Sequence, residues 1–278
     1  DDSILDDKSI ESVENIPGLT YRKEGEIFQN SFGKAINPLD LIPSPYNDEM
    51  AENFKDKIVY YESSRGCPFS CSYCLSSTFS GVRFFSMERV KSDLMRLINL
   101  KVHQVKFVDR TFNCNRERAK EIFKFIMENA LEDGGKPITN FHFEIAGDLF
   151  DEEMHQILSA APEGLIQFEI GIQTTNEETL ELIDRKTDTE IVFENVRKLR
   201  KCNNIHLHLD LIAGLPKEDL RLFKNSFNEV YGLKPHNLQL GFLKMLNGTK
   251  IKREAELYGY RYKNFPPYEV LSNDFISY

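Results

Sequence analysis

Three cysteines lie close together in this chain, at Cys67, Cys71 and Cys74, with the spacing C-x3-C-x2-C. Gly66 and Pro68 predict that this stretch is a loop. Three thiolates on one short loop can bind three corners of an iron–sulfur cube, which a fourth cysteine normally completes. Because no fourth cysteine follows nearby, one iron would stay open to another ligand. The spacing therefore indicates a cluster whose open iron takes part in chemistry.

Zinc is the alternative ligand for the same thiolates. A structural zinc ion needs four closed ligands, usually two pairs spaced C-x2-C or H-x3-5-H, and only Cys71 and Cys74 form such a pair here. On this alternative the chain is a zinc- or cluster-stabilised binding module without catalysis. Disulfides are disfavoured, because an odd count of five cysteines in 278 residues indicates a reducing compartment.

Composition narrows the class of protein further. The 278 residues suffice for one barrel-sized domain. A net charge of -9 argues against a broad nucleic-acid-binding surface. No apolar run approaches the roughly 20 residues of a membrane-spanning helix. We therefore expect a cytoplasmic protein that binds neither membrane nor nucleic acid.

Strand and helix patterns alternate along the middle of the chain. Short apolar segments predict six strands, at residues 58–61, 105–108, 141–146, 166–172, 207–212 and 238–243. Helical apolar spacing follows the strands, and capping boxes at Thr175 and Thr187 predict the starts of two helices. Strict alternation predicts a parallel sheet with the helices outside. We expect an α/β fold, a partial (β/α)6 barrel of the TIM type.

Polar and apolar side chains alternate along three of the predicted strands. Since side chains on a strand switch face at every residue, one face is apolar and meets the helices. The other face would point into the barrel and is polar; it carries His142, Glu144, Gln167, Glu169, Gln173, His206, His208 and Asp210. Burying these groups without partners would cost several kcal/mol. The pattern therefore predicts a polar lumen that holds a polar ligand.

The cysteine motif, with Tyr73 just before its last cysteine, resembles the signature of the radical S-adenosylmethionine (radical SAM) superfamily. This resemblance implies that the open iron of a [4Fe–4S] cluster binds the amino and carboxylate groups of S-adenosylmethionine. One electron, from a donor such as flavodoxin or ferredoxin, would then cleave the sulfonium and give a 5′-deoxyadenosyl radical. The substrate of that radical stays unknown.

Further segments between residues 58 and 249 resemble oxygen-independent coproporphyrinogen oxidases and related radical SAM enzymes. They are residues 143–145, residues 171–173 with Arg185 twelve positions on, and residues 210–216. Arg185 suits the methionine carboxylate, since guanidinium and carboxylate pair well. The resemblance implies contacts to S-adenosylmethionine from Tyr73, Glu144, Gln173, Arg185, Asp210 and Ile212.

Two departures from the coproporphyrinogen oxidase pattern bear on the reaction. Leu75 follows the triad where that family has an additional cysteine. The second predicted strand ends in Asp-x-x-Phe, beginning at Asp109, as in cobalamin-associated members such as methyltransferases and anaerobic magnesium-protoporphyrin ester cyclases. Both oxidoreductase and methyltransferase chemistry stay open. Candidate catalytic residues near this strand end are Asp109, Arg110 and Cys114.

The chain is expected to have three parts. Residues 1–57 are an acidic connector with a proline-punctuated arm, residues 58–249 are the radical SAM core, and residues 250–278 are a C-terminal extension. The first part resembles the segment that joins a cobalamin-binding domain to a radical SAM core. We therefore expect the chain to be the core of a longer protein, in which cobalamin would bind outside this chain.

Overall fold

A computed structural model describes residues 13–46, 54, 57–78 and 81–277. The chain divides into two compact units, Asp1–Leu41 and Ile42–Tyr278. In the first unit, β1 (Thr20–Lys23) pairs antiparallel with β2 (Glu26–Gln29). The second unit carries every candidate site residue.

Strands and helices alternate in the second unit. Its strands are β3 (Ile58–Tyr61), β4 (Ser64–Cys67), β5 (Gly81–Phe84), β6 (Gln104–Phe107), β7 (Asn140–Ile145), β8 (Ile166–Gln173), β9 (His206–Ala213), β10 (Asn237–Phe242), β11 (Arg261–Tyr262) and β12 (Val270–Ser272). Its α-helices are α1 (Met87–Asn99), α2 (Arg116–Asn129), α3 (Glu152–Ser159), α4 (Glu177–Leu182), α5 (Thr189–Cys202), α6 (Leu220–Gly232) and α7 (Lys250–Arg253). Across the described part of the chain, no helix combines the length and apolar character that crossing a bilayer requires.

Six strands form one sheet in the order β10-β9-β8-β7-β6-β3, and every neighbouring pair is parallel. The strands β3 and β10 are its edges, and within the described residues they do not pair with each other. The sheet is thus open along one side. The predicted α/β partial barrel is confirmed.

Aromatic side chains fill the space between the sheet and its helices. Phe143 on β7 lies at the centre, with its ring centroid 4.5 Å from that of Phe107 and 5.2 Å from that of Phe123 on α2. All three side chains are fully buried. Burial of side chains of this size contributes about 1.5–3 kcal/mol each to folding. This packing takes the apolar face of the strands and leaves the polar face to the lumen.

Two helices begin one residue later than their capping boxes predict. The N-cap of α4 is Asn176, and the N-cap of α5 is Asp188, whose carboxylate accepts from the Ile191 N–H at 3.0 Å. The two threonine hydroxyls are used elsewhere: Thr175 donates to Ser226 Oγ at 3.1 Å, and Thr187 to Asp148 Oδ2 at 3.4 Å. Tertiary contacts therefore compete successfully with local capping.

The segment before the cysteines is a strand, where the sequence predicts a loop. It forms β4, which pairs antiparallel with β5 so that Cys67 lies opposite Gly81. Ser64–Cys67 lacks the apolar alternation that identifies strands from sequence. The pairing comes instead from backbone hydrogen bonds to β5, and this hairpin presents the cysteine loop.

Residues beyond 249 fold back onto the carboxyl ends of the strands. The Tyr260 hydroxyl and the Asn273 amide both donate to the Gly214 carbonyl, at 2.8 and 3.1 Å. Tyr258 and Tyr260 are buried in a cluster with Leu243 and Met245. The predicted C-terminal extension thus belongs to the same compact unit as the sheet.

Candidate functional site

The cysteines lie where β4 ends and the following loop begins. Cys67 is the last residue of β4, and Cys71 and Cys74 follow it in the loop. Cys71 is buried, and this burial raises the pKa of its thiol. Cys67 and Cys74 are half-buried. Cys71 is thus the most buried of the three cysteines.

Backbone hydrogen bonds hold the cysteine loop from two sides. The Ser72 N–H donates to the Ile183 carbonyl just after α4 at 2.8 Å, and the Ser72 carbonyl accepts from the Ile251 N–H of α7 at 3.0 Å. On the other side, Cys67 Sγ lies 3.7 Å from Thr111 Oγ1, beyond the carboxyl end of β6. Elements far apart in sequence therefore fix the positions of the thiols.

Gly66 allows the hairpin to approach closely beside the cysteines. Its φ is +111°, and a Cβ atom there would lie 2.1 Å from the Gly81 carbonyl oxygen. We expect Gly66→Ala to lower the free energy of unfolding by about 1–3 kcal/mol through backbone strain, with a further loss from the clash. Thermal melting and the iron content after anaerobic reconstitution measure both consequences.

Gly134→Ala is the matched control for this prediction. Gly134 has a φ of +100°, yet nothing lies within 4 Å of the added Cβ. It therefore carries the backbone strain without the clash and lies far along the chain from the cysteines. If Gly66→Ala melts no lower than Gly134→Ala and binds normal iron, the close approach does not matter to the loop.

Arg185 connects the cysteine loop to the lumen. Its Nη1 lies 3.7 Å from Cys71 Sγ and 3.4 Å from Tyr73 Oη, and its Nη2 donates to the Gly171 carbonyl on β8. Arg185 follows α4, whose end is tied to the cysteine loop through Ile183. The guanidinium thus spans the distance between a thiol and the polar face of the sheet.

A cavity of about 230 Å³ opens in the lumen beside Arg185. Four of the six residues that were expected to contact S-adenosylmethionine line it: Glu144, Gln173, Arg185 and Asp210. Arg110, a predicted catalytic residue, also lines it. The structure therefore brings five predicted site residues, from β7, β8, β9 and two loops, to one cavity.

The strand end at Gly171 and Gln173 is irregular. The β8–β9 pairing shifts register between these two residues, and Gln173 has a φ of +73°. A Cβ on residue 171 would lie 2.1 Å from Gln173 Nε2 and 3.6 Å from Arg185 Nη2. Glycine at position 171 thus leaves room for the Gln173 amide and the guanidinium together. Backbone conformations of this rare kind concentrate at functional sites.

Acidic side chains face one another across the lumen. Burial, with the charges of Glu169 and Glu144, raises the pKa of Asp210 to about 8. Burial and Glu169 also raise the pKa of Glu144. The pKa of Glu169 is lowered to about 2, mainly by its contacts with His142 at 3.0 Å and Lys106 at 3.3 Å. Neighbouring carboxyl groups in this lumen thus differ widely in acidity.

Seven predicted site residues lie outside the cavity lining: the three cysteines and four others. Asp109 is 1% exposed and accepts hydrogen bonds from Ser63 and Ser64, at 2.5–2.9 Å. Its contacts fix the turn between β3 and β4. Tyr73 and Ile212 are partly buried against the apolar cluster near the C-terminal segment. Cys114 is half-buried, and burial raises the pKa of its thiol.

Other cavity residues escaped the sequence analysis. They are apolar, hydroxyl and basic side chains at the end of β7 and in loops: Phe69, Thr111, Ile145, Ala146, Lys186 and Thr187. Residue type marks none of them as functional. Their one sequence signal is position, because each lies at or just beyond a strand end or beside a motif residue. Ligand sites in α/β proteins form at these carboxyl ends.

Two buried polar atoms in the cavity wall fit a polar ligand. Arg185 Nε and Asp210 Oδ1 have no hydrogen-bond partner among the residues that the structure describes. Asp210 Oδ1 lies 3.3 Å from His208 Nε2, without the alignment of a hydrogen bond. Unpaired buried donors and acceptors are costly, so a ligand that supplies the missing partners stabilises the site. A zwitterion with hydroxyl groups, such as S-adenosylmethionine, supplies both kinds.

Comparison with known proteins identifies the family and the fold. The family model of the radical SAM superfamily matches residues 61–230. The solved structure of the radical S-adenosylmethionine methyltransferase TsrM from Kitasatospora setae superposes with a TM-score of 0.70 at 16% identity, covering 93% of this chain and 54% of that chain. At that identity the likeness concerns the fold alone.

Curated relatives are longer than this chain. The cobalamin-dependent radical SAM methyltransferase TokK of Streptomyces tokunonensis is 27% identical over 271 residues, which are 88% of this chain and 38% of that protein. The anaerobic magnesium-protoporphyrin IX monomethyl ester cyclase of Cereibacter sphaeroides is 21% identical over 238 residues, again 38% of its length. The resemblance expected from the cysteine motif is confirmed.

Proposed function

This chain belongs to the radical SAM superfamily, and we propose that Cys67, Cys71 and Cys74 hold its [4Fe–4S] cluster beside a lumen that binds S-adenosylmethionine. The family makes the chain an enzyme rather than a binding module. When bound, the cluster and S-adenosylmethionine supply a 5′-deoxyadenosyl radical for an unknown substrate. The residues of the chain bind and orient the cofactor and the substrate, and they exclude side reactions.

The single observation that carries this proposal is the position of Arg185. Its guanidinium contacts the thiol of Cys71 and the wall of the lumen at once. Arg185 would therefore lie beside a ligand that the cluster and the lumen hold together. The buried Nε of Arg185 is the donor left for the methionine carboxylate.

The remaining cavity residues suit different parts of the ligand, according to their polarity. Glu144 and Asp210 accept from the amino group or the ribose hydroxyls, and the Gln173 amide can donate and accept beside them. Phe69, Ile145 and Ala146 supply apolar walls that limit the access of water. Exclusion of water protects a reactive radical from side reactions.

We assign distinct roles to the candidates around the end of β6. Arg110 is exposed and lines the cavity, so it can pair with an anionic group of the substrate. Asp109 is a positioning residue, because its hydrogen bonds to Ser63 and Ser64 hold the chain that leads into β4. Cys114 stays a candidate for substrate contact or hydrogen-atom donation.

The overall reaction that we propose is methyl transfer with cobalamin bound outside this chain. The support is the similarity to TokK over 88% of this chain and the fold shared with TsrM, both named as methyltransferases. The similarity to the cyclase supports oxidoreductase chemistry as the second candidate. A cytoplasmic flavodoxin or ferredoxin is the proposed electron donor.

Anaerobic reconstitution with iron and sulfide tests the radical assignment. We expect a brown protein that, once reduced, releases 5′-deoxyadenosine slowly from S-adenosylmethionine without its substrate. Visible absorption, iron and sulfide analysis and chromatography of the nucleoside measure these outcomes. A colourless protein that binds one zinc ion per chain would contradict the proposal.

Cobalamin requires a separate test on the full-length protein. Titration with hydroxocobalamin, followed by its visible spectrum, should show one tight site that this chain alone lacks. A full-length protein without affinity for cobalamin would exclude cobalamin-dependent methyl transfer. The release of 5′-deoxyadenosine by the chain alone would still support the radical assignment.

A further inference from the structure

We propose that Asp210 and Glu169 share one proton, and that Glu169 thereby acts as a positioning residue for the lumen ligand. Neither the family match nor the motif residues assign a role to Glu169. The inference rests on the proposed function, since it concerns how Asp210 is presented to S-adenosylmethionine. Its evidence is the arrangement of carboxyl groups on adjacent strands.

The strand register places these two side chains side by side. On β8 Glu169 pairs with His208 of β9, and two residues on Gly171 pairs with Asp210. Both carboxyl groups therefore point into the lumen on neighbouring strands, where burial, the charges of Glu169 and Glu144 and a hydrogen bond with Glu169 raise the pKa of Asp210. Both line the same cavity.

Two ionised carboxylates cannot satisfy this contact. A carboxylate is an acceptor only, so a hydrogen bond between two carboxyl groups requires a proton on one of them. Their charges would also repel in a poorly solvated lumen. One shared proton removes the repulsion and supplies the missing donor, and the pair then carries a single negative charge.

The surroundings decide which partner carries the proton. Lys106 and His142 both contact Oε2 of Glu169, at 3.3 and 3.0 Å, and hold that carboxyl in its ionised form. Asp210 Oδ1 lies 3.3 Å from His208 Nε2, but no lysine among the described residues pairs with Asp210, and its pKa is raised to about 8. When the surroundings separate the pKa values of two carboxyl groups in this way, the group with the higher pKa carries the proton.

The groups with the strongest effect on this pair face the lumen: Lys106 from β6, His142 and Glu144 from β7, and His208 from β9. Arg110, Arg185 and Lys186 line the same cavity from loops. On the other side of Asp210, β10 presents Gln239, which does not titrate. The positive charge of Lys106 partly offsets the charges of Glu144, Glu169 and Asp210. Lys106 forms its ion pair with Glu169.

The shared proton fixes the orientation of Asp210. The proton would hold the Asp210 carboxyl against Glu169, and Oδ1, which lacks a hydrogen-bond partner among the described residues, is an acceptor left for the ligand. Loss of the proton would leave two adjacent negative charges and free the Asp210 side chain to turn away. Ligand affinity should therefore be fully present below the pKa of the pair and fall above it.

Infrared spectroscopy on the ligand-free, reconstituted protein tests the proton directly. The wild type near pH 7 should show the carbonyl band of a protonated carboxyl group in addition to that of the buried Glu218, whose pKa burial raises to about 7. Asp210→Asn and Glu169→Gln should both lack this band, since either amide supplies the donor without a proton. Glu144→Gln is the matched control and should keep it. Absence of the band in the wild type, or its loss only in Glu144→Gln, would overturn the proposal.

Calorimetric titration with S-adenosylhomocysteine then tests positioning. Above about pH 8 the wild-type affinity should fall by up to about tenfold per pH unit, the limit for one required proton. Glu169→Gln keeps the single negative charge of the pair and should bind with nearly wild-type affinity and a flat pH profile. Glu169→Ala should bind weakly at every pH.

The infrared and calorimetric experiments together distinguish failure of the shared proton from failure of the proposed ligand. Steep pH dependence that persists in Glu169→Gln would overturn the shared proton, even if the ligand binds well. No binding by the wild type at any pH would contradict the proposed ligand, while the infrared band would still decide the proton. A merely structural role for Glu169 predicts equal losses in the glutamine and alanine variants.

Discussion

Replacing Cys67, Cys71 or Cys74 by alanine is expected to abolish the [4Fe–4S] cluster and the cleavage of S-adenosylmethionine. Each thiolate would bind a different iron, and the cube already lacks a fourth cysteine. Removal of one ligand therefore leaves two of its corners without protein ligands. Iron and sulfide per chain should fall to background after anaerobic reconstitution, and 5′-deoxyadenosine should not form.

The two other cysteines provide controls within the same chain. Cys114 is half-buried in the turn that follows β6, and Cys202 is exposed at the end of α5. Cys114→Ala and Cys202→Ala should keep a full cluster. A normal iron and sulfide load in Cys71→Ala, or a lost cluster in Cys202→Ala, would contradict the ligand assignment.

Substituting Arg185 should have the second largest effect. Arg185→Lys keeps the charge but loses the planar fork that reaches the Gly171 carbonyl, Tyr73 and Cys71. A hydrogen bond to a charged group contributes about 1.5–3 kcal/mol, so affinity for S-adenosylhomocysteine should fall about 10- to 150-fold. Calorimetric titration of the reconstituted protein measures this change.

A second arginine tests whether the effect is specific. Arg200 on α5 contacts Asn203 and His236 on the exposed surface, away from the cavity lining. Arg200→Lys should leave affinity unchanged. If Arg185→Lys binds the ligand as tightly as the wild type, the guanidinium does not contact the methionine carboxylate.

The sequence predicts the repetitive part of this fold well, because its signal is repeated. Each of the six sheet strands has apolar residues on the helix side, and the segment at Ile166 shows this most clearly. Hairpin β4–β5 has no such signal, since Gly66 and its neighbours are small or polar. Its stability comes from pairing that only the folded chain contains.

The site residues likewise include some that the sequence predicts and others that only the folded chain reveals. Cys67 and Cys71 could be named because their type and spacing imply chemistry, and Arg185 because the segments around it resemble related radical SAM enzymes. The contacts of Glu169 with Lys106 and His142 could not, because they depend on which strands are neighbours and in what register. The positive φ of Gln173 was equally inaccessible, as few residues other than glycine adopt it.

The open side of the sheet, between β3 and β10, has a consequence for the size of what the lumen can hold. In a closed barrel, the strand number and stagger fix the diameter. An open sheet has no closure condition, so its curvature can change without breaking a strand ladder. Tyr60 on β3 and Phe242 on β10 are 62% and 75% exposed at the two edges. Substitutions of Tyr60 or Phe242 at the sheet edges can therefore change the width of the substrates that the lumen accepts, while Arg185 and the cysteine loop keep their positions.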